Sequence, residues 1–116
     1  MKLKCQHVSA SEAGDEIFQV CFEVKQDQED GRYVLISRAF LEEEEGEASP
    51  YYVETHDERL TGHYPSVEAE LTRNRLVLRL PSPLNNMIEV EFTTSDRNFR
   101  KVQQTLGIIL QKDMEE

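Results

Sequence analysis

The sequence lacks the features that define several common classes of protein. It has two cysteines, Cys5 and Cys21, which are too few for a disulfide framework. No apolar run approaches the roughly 20 residues that a membrane-spanning helix needs. The segment 1–6 is polar and alternating, unlike a signal peptide. We therefore expect a cytoplasmic protein with reduced thiols and no membrane partner.

Positive charge is also scarce. The chain has 13 Lys and Arg against 23 Asp and Glu, a formal net charge of −10. Residues 1–70 hold 17 acidic against 6 basic residues, whereas residues 71–116 hold 6 against 7. Because each neutralised phosphate requires a Lys or Arg, this balance argues against a nucleic-acid partner. It is compatible with a basic protein partner, and equally with simple solubility.

Motifs for catalysis are missing as well. There is no G-x-S-x-G elbow and no glycine-rich phosphate loop. Cys5 and His7 share one face of a predicted strand, but no third group would orient them as a catalytic pair. The sequence therefore predicts no catalytic residue, no cofactor and no enzyme.

Metal-binding patterns are not found either. His56, Asp57 and His63 form the only local cluster, and their spacing matches no metal-ligand pattern. The acidic run Glu42–Glu47 lacks the alternating ligands of a calcium loop. An alternative function stays open, in which a small ligand-binding or hydrolase-like β-domain brings His56 and His63 together beside a carboxylate.

Alternating apolar residues are what the sequence does contain. They predict a single α+β domain over residues 1–116, with about seven strands in a largely antiparallel, curved sheet and one C-terminal helix packed on a face. Residues 9–15 are predicted as a loop. Residues 32–41 are apolar on both sides, which predicts a central strand buried on both faces. The predicted strands centre on residues 3–7, 18–24, 32–41, 51–54, 67–72, 76–80 and 88–92.

Two local units are especially clear in the second half of the chain. Residues 67–80 predict a hairpin that turns at Arg73-Asn74, where Asn would tolerate positive φ. Its acidic strand residues, Glu68 and Glu70, would face Arg75 and Arg79 across the ladder. Ser95 is a good N-cap for a following helix. The apolar stripe of that helix comprises Phe99, Val102, Leu106, Ile109 and Leu110.

Residues 51–80 hold the best candidates for a recognition surface, because they concentrate tyrosine and histidine. Acidic residues surround them and would form a rim that speeds association with a basic target. In the simpler interpretation, alternate tyrosines belong to the core, and the acidic run is only a solvated loop. The predicted partner-binding residues are Glu42, Glu43, Glu44, Glu45, Glu47, Tyr51, Tyr52, Glu54, His56, Asp57, Glu58, His63 and Tyr64.

The same stretch resembles the immunity-protein-ten family of bacterial polymorphic toxin systems. The resemblance rests on Tyr51-Tyr52-Val53-Glu54, on Gly62-His63-Tyr64 and on the alternating hairpin of residues 67–80. It extends over roughly residues 32–110, including the preceding strand residues 36–40. It implies a non-enzymatic cytoplasmic protein that binds and blocks a cognate toxin domain. A basic nuclease would be a suitable toxin for such an acidic inhibitor. Whether the protein is a monomer or a homodimer stays open.

Overall fold

The computed structural model describes residues 1–14, 16–24, 31–40, 50–81 and 86–111. These residues form an α+β fold, as predicted, although the strands number nine and lie in two sheets rather than about seven in one. The predicted acidic loop Glu42–Glu47 lies outside the described residues. The strands are β1 Lys2–Cys5, β2 His7–Ala13, β3 Ile17–Glu23, β4 Tyr33–Ala39, β5 Tyr51–Thr55, β6 Gly62–Tyr64, β7 Glu68–Thr72, β8 Arg75–Arg79 and β9 Met87–Phe92.

The chain crosses from one sheet to the other near its N-terminus. A four-stranded sheet has the order β1-β9-β8-β7, and a five-stranded sheet has the order β2-β3-β4-β5-β6. Only Gln6 separates β1 from β2, so the chain passes from one sheet to the other at that residue. All strand pairs are antiparallel except β1 with β9, where Leu3 lies opposite Val90.

Strand β2 contradicts the predicted loop at residues 9–15. Its serines and Glu12 carry no apolar alternation, so the sequence pattern missed it. The strand forms because its backbone pairs with β3 along its whole length, from His7 opposite Glu23 to Ala13 opposite Ile17. Here pairing between strands outweighs local propensity.

The core lies between the inner faces of the two sheets. Phe22 of β3 is fully buried, and its ring centroid is 5.3 Å from that of Phe92 in β9. Phe92 in turn stacks on Phe99 with a centroid separation of 6.4 Å. Each large side chain buried in this way contributes roughly 1.5–3 kcal/mol relative to leaving it exposed. This chain of three rings joins both sheets and the helix into one core.

Strand β4 is central, as predicted, but only one of its faces is fully buried. Val34 and Ile36 are completely buried against the core. Tyr33 and Leu35, on the other face, are only half-buried. The prediction of burial on both faces was therefore wrong, because the second sheet and the helix both lie on the inner side.

The hairpin of β7 and β8 is confirmed, with Leu76 and Leu78 fully buried. Neither residue of the Arg73-Asn74 turn has positive φ, so the expected left-handed asparagine is absent. Glu68 lies opposite Arg79 as predicted, whereas Arg75 forms an ion pair with Glu89 of β9.

Helix α1, Asp96–Leu110, begins at the predicted cap. The Ser95 Oγ accepts a hydrogen bond from the Asn98 backbone N–H at 3.1 Å. The predicted apolar stripe is buried, and the helix packs against β2 and β3. The Asn98 side chain also donates to the Val8 carbonyl at 2.8 Å, which anchors the helix to β2. In the described part of the chain, no helix has the length and apolar character to cross a membrane.

Candidate binding surface

The outer face of the five-stranded sheet carries Tyr33, Tyr52 and His63, which come from three neighbouring strands. Strand pairing places Leu35 of β4 opposite Glu54 of β5, and Tyr52 of β5 opposite His63 of β6. Because side chains alternate along a strand, residues of this register share one face. We call it the aromatic–acidic face and define it by Cys21, Tyr33, Leu35, Tyr52, Glu54 and His63.

Glu54 lies at the centre of this face and is held by two tyrosines. The Tyr33 hydroxyl donates to Glu54 Oε2 at 2.6 Å, and the Tyr52 hydroxyl donates to Glu54 Oε1 at 2.6 Å. All three side chains are half-buried. We call them the Tyr–Glu–Tyr cluster. Its two bonds fix the carboxylate in one orientation before any partner arrives.

The proton positions of the cluster follow from these bonds. The hydrogen bond to Glu54, assisted by burial, raises the pKa of Tyr33 to about 12. The equivalent bond raises the pKa of Tyr52. The bonds from Tyr33 and then Tyr52 lower the pKa of Glu54 below its usual value. At neutral pH the protons therefore stay on the tyrosines, and the negative charge stays on Glu54.

Aromatic and apolar groups flank the cluster. The rings of Tyr52 and His63 are 5.0 Å apart at an angle of 49°. On the other side, Cys21 lies opposite Leu35 in the sheet. Burial, together with the nearby charges of Glu23 and Glu54, raises the pKa of Cys21 to about 11, so the thiol is neutral. The face thus combines one fixed carboxylate, Glu54, with an aromatic pair on one side and a neutral thiol on the other.

The structure brings together three of the predicted site residues, Tyr52, Glu54 and His63. His56 lies at the end of the same face, where its Nδ1 accepts a hydrogen bond from the Tyr33 N–H at 3.4 Å. Asp57 accepts bonds from the Arg59 side chain and caps the short 3-10 helix Glu58–Leu60, so its charge is paired. The Arg59 bonds lower the pKa of Asp57.

Two predicted site residues do not belong to this face. Tyr64 is buried and donates its hydroxyl proton to the Leu60 carbonyl, so its side chain cannot reach a partner. Tyr51 points to the inner side, packs against the core and lies under the guanidinium of Arg38, 5.0 Å from its ring centroid. Strand alternation sends these two inward and Tyr52 outward, which is the simpler of the two interpretations. Glu58 is exposed on the 3-10 helix.

His56 and His63 do not converge. His63 lies opposite Tyr52, and His56 follows the far end of β5. At about 3.3 Å per strand residue, the two positions are about 13 Å apart. Among the described residues, no three His, Cys, Asp or Glu side chains cluster as metal ligands would. The geometry expected for a shared histidine site is therefore absent from the described part of the chain.

Tyr33 belongs to the Tyr–Glu–Tyr cluster although it is not among the predicted partner-binding residues. It was assigned to the buried faces of the central strand, and its partner Glu54 lies 21 residues away. Only the pairing of β4 with β5 brings the two side chains together. The sequence did contain one indication of this cluster, because Tyr33 and Tyr52 lie at outward positions of two consecutive strands.

A groove on the four-stranded sheet is a separate feature. It lies at the carboxyl ends of β1 and β9, and Lys4, Arg75 and Glu91 contribute charges of both signs. Cys5 at its base is buried, which raises its pKa to about 12. This mixture of charges selects no ligand class, so the aromatic–acidic face is the better candidate.

Comparison with known proteins identifies no relative. No protein-family model matches the chain, and no curated protein or solved structure is significantly similar to it. The resemblance to the immunity-protein-ten family therefore stays a prediction.

Proposed function

We propose that this protein is a non-enzymatic bacterial immunity protein that binds and neutralises a cognate toxin domain in the cytoplasm. The observation that carries the proposal is the Tyr–Glu–Tyr cluster, which holds a carboxylate in a fixed orientation on a half-exposed sheet face. The resemblance of residues 51–80 to the family supports the same function. Three residues of the family-like pattern, Tyr52, Glu54 and His63, lie on this face.

A protein partner suits the aromatic–acidic face better than a small molecule does. Tyrosine is enriched among the residues that dominate binding energy at protein interfaces, because it is large, rigid and amphipathic. The hydroxyls of Tyr33 and Tyr52 are already held by Glu54, so little side-chain entropy is lost on binding. The face also spans four adjacent strands, β3 to β6, which provides an extended area.

The charge of the protein indicates the sign of its partner. The net charge is −10, and the acidity is concentrated in residues 1–70, which contain all residues of the aromatic–acidic face. A basic toxin domain, such as a nuclease, would be attracted to such a surface, and this attraction would raise the association rate. Charge reversal at Glu43, Glu44 and Glu54 should slow that association at low salt.

The test combines capture with rescue of growth. The protein serves as bait in a lysate of its source organism, and each retained protein is then expressed alone and together with the bait. We expect one basic protein that is released at high salt, that arrests growth when expressed alone, and whose effect is relieved by the wild-type bait. The Glu54→Lys variant should fail to relieve it, whereas Glu68→Lys, on the opposite sheet, should succeed. Captured proteins that do not arrest growth, or arrest that the bait never relieves, would refute the proposal.

A further inference from the structure

The Tyr–Glu–Tyr cluster offers hydrogen-bond acceptors but no donors. Each tyrosine hydroxyl has one proton, and in both Tyr33 and Tyr52 that proton is donated to Glu54. A carboxylate has about four lone-pair sites, of which these bonds use two. Among the described residues, no other group donates to Glu54 or to the two hydroxyl oxygens, which leaves their remaining lone pairs to accept. A complementary group must therefore present hydrogen-bond donors to the cluster.

The charge of Glu54 is not neutralised within the described residues. Its two hydrogen-bond partners are neutral hydroxyls, and no Lys, Arg or His of the described chain lies within ion-pair distance. The lowered pKa of Glu54 keeps it ionised at neutral pH. Among protein side chains, the groups that are fully cationic at neutral pH and only donate are the ammonium of lysine and the guanidinium of arginine.

The surroundings of the cluster favour arginine over lysine. The Tyr52 and His63 rings, 5.0 Å apart, form an aromatic shelf beside the carboxylate. A planar guanidinium stacks on such rings and is more weakly hydrated than an ammonium, so it loses less on entering a half-buried site. Its five N–H donors also match a set of several acceptors.

We infer that the Tyr–Glu–Tyr cluster is a receptor for an arginine side chain of the partner protein. The guanidinium donates to the free lone pairs of Glu54 and lies against the rings of Tyr52 and His63. This inference deepens the proposed function and rests on it for the biological occupant of the site. The site itself can be tested without the toxin.

The test is an NMR titration of the full-length protein with acetyl-Gly-Arg-Gly-amide at neutral pH. We expect saturable shifts confined to the amides of β4, β5 and β6 around the cluster. The lysine analogue of the peptide should bind about fivefold more weakly, because it cannot stack on the shelf. Equal binding of the two peptides would overturn the assignment to arginine.

Two variants separate the cluster from general acidity. Glu54→Gln should weaken binding of the arginine peptide by about tenfold, because a charge-assisted bond becomes a neutral one. Glu68→Gln removes the same charge from the outer face of the other sheet and should leave binding unchanged. Both variants are first compared with wild type by their amide spectra, so that unfolding is not mistaken for lost binding. Equal losses in both variants, or no loss in Glu54→Gln, would overturn the inference.

The inference and the proposed function fail in different ways. If the arginine peptide binds in a way that depends on Glu54 but the protein relieves no growth arrest by a toxin, the arginine site is supported and the immunity function is refuted. A relieved toxin whose affinity is unchanged by Glu54→Gln, together with no peptide binding, would sustain immunity and refute the receptor.

Discussion

Both sheets turn one face to the core and the other to solvent, but the carboxylates on the two outer faces have different partners. On the four-stranded sheet, Glu89 lies between two cations, Arg75 and Lys2, with the Lys2 Nζ 3.6 Å from its Oε2. Arg79 lies 3.6 Å from Glu70. We call these five residues the charge ladder. Beneath them Val77 is only 4% exposed, so the long side chains cover it.

On the five-stranded sheet the central carboxylate is held by hydroxyls instead of cations. Glu54 is fixed in position and no cation of the described residues pairs with it, whereas Glu89 is neutralised by its neighbours. A partner that approached the charge ladder would have to displace ion pairs that are already made. A partner that approaches the aromatic–acidic face finds a carboxylate whose orientation is settled and whose charge is available. We therefore propose the aromatic–acidic face, and not the charge ladder, as the surface for recognition.

The largest expected effect tests whether the two faces belong to one cooperative unit. Phe22→Ala should lower the free energy of unfolding by about 3–5 kcal/mol, because it removes a fully buried ring that contacts the other sheet. Hydrogen-exchange protection should fall in both sheets together. Ile17→Ala, an exposed position on the same strand, should change stability by less than about 1 kcal/mol. Loss of protection in the five-stranded sheet alone would show that the faces are independent.

The next effect tests the centre of the charge ladder. Glu89→Ala should lower the free energy of unfolding by about 1–2 kcal/mol, because Glu89 is largely buried and two cations lose their partner. Denaturant unfolding measures this loss, and high salt should reduce it. Glu68→Ala, an exposed carboxylate on the same face, should stay within about 0.5 kcal/mol of wild type. Equal effects of the two substitutions would mean that the ladder contributes no specific stability.

A smaller effect is expected at the aromatic–acidic face. Tyr33→Phe removes one of the two bonds to Glu54 and should cost about 1 kcal/mol or less of stability, because the site is half exposed. Denaturant unfolding of the variant beside wild type measures this cost. Tyr33→Phe should also weaken binding of the arginine peptide, because only one of the two hydrogen bonds that orient the Glu54 carboxylate remains. A variant that is less stable but binds the peptide normally would show that the Tyr33 hydrogen bond contributes to stability and not to binding.

The pH dependence of that bond has a definite sign. The pKa of Tyr33 rises from 10.0 to about 12 on folding, so its contribution to stability is complete below about pH 10 and is lost as the pH rises to 12. The pKa of Glu54 is lowered on folding, so its contribution is present above 4.5 and is lost as the pH falls through its folded value. Titration of tyrosinate absorbance should show a step near pH 12 whose amplitude falls by one tyrosine in Tyr33→Phe. Loss of that amplitude from the step near pH 10 instead would contradict the hydrogen bond.

Local patterns were sufficient to predict much of the fold. Strand alternation predicted the buried leucines of β8, and the cap at Ser95 predicted the start of the helix. These features depend on neighbours a few residues away. The division into two sheets was not predicted, because it depends on pairing between distant segments, such as the parallel pairing of β1 with β9, which joins residues 2–5 to residues 89–92. No periodicity records such a pairing.

The candidate site was predicted only in part, for the same reason. The concentration of tyrosine and histidine in residues 51–80 indicated the region of the candidate face, and Tyr52, Glu54 and His63 lie together on it. Tyr33 was missed because its position beside Glu54 depends on pairing between β4 and β5. Tyr64 was included although it is buried, because the inner side of a short edge strand cannot be recognised from three residues.

The partner of Arg75 shows the same limit and leads to the smallest expected effect. The hairpin pattern predicted that Glu68 and Glu70 would pair with Arg75 and Arg79. In the structure, Arg75 forms its ion pair with Glu89 of β9 instead. Arg79 is left at the edge of the ladder, half exposed and 3.6 Å from an exposed Glu70. Arg79→Ala should therefore change the free energy of unfolding by no more than about 0.5 kcal/mol. A thermal or denaturant melt of this variant beside Glu89→Ala checks the ranking. A loss equal to that of Glu89→Ala would mean that the ladder acts as one network, in which the edge pair supports the central one.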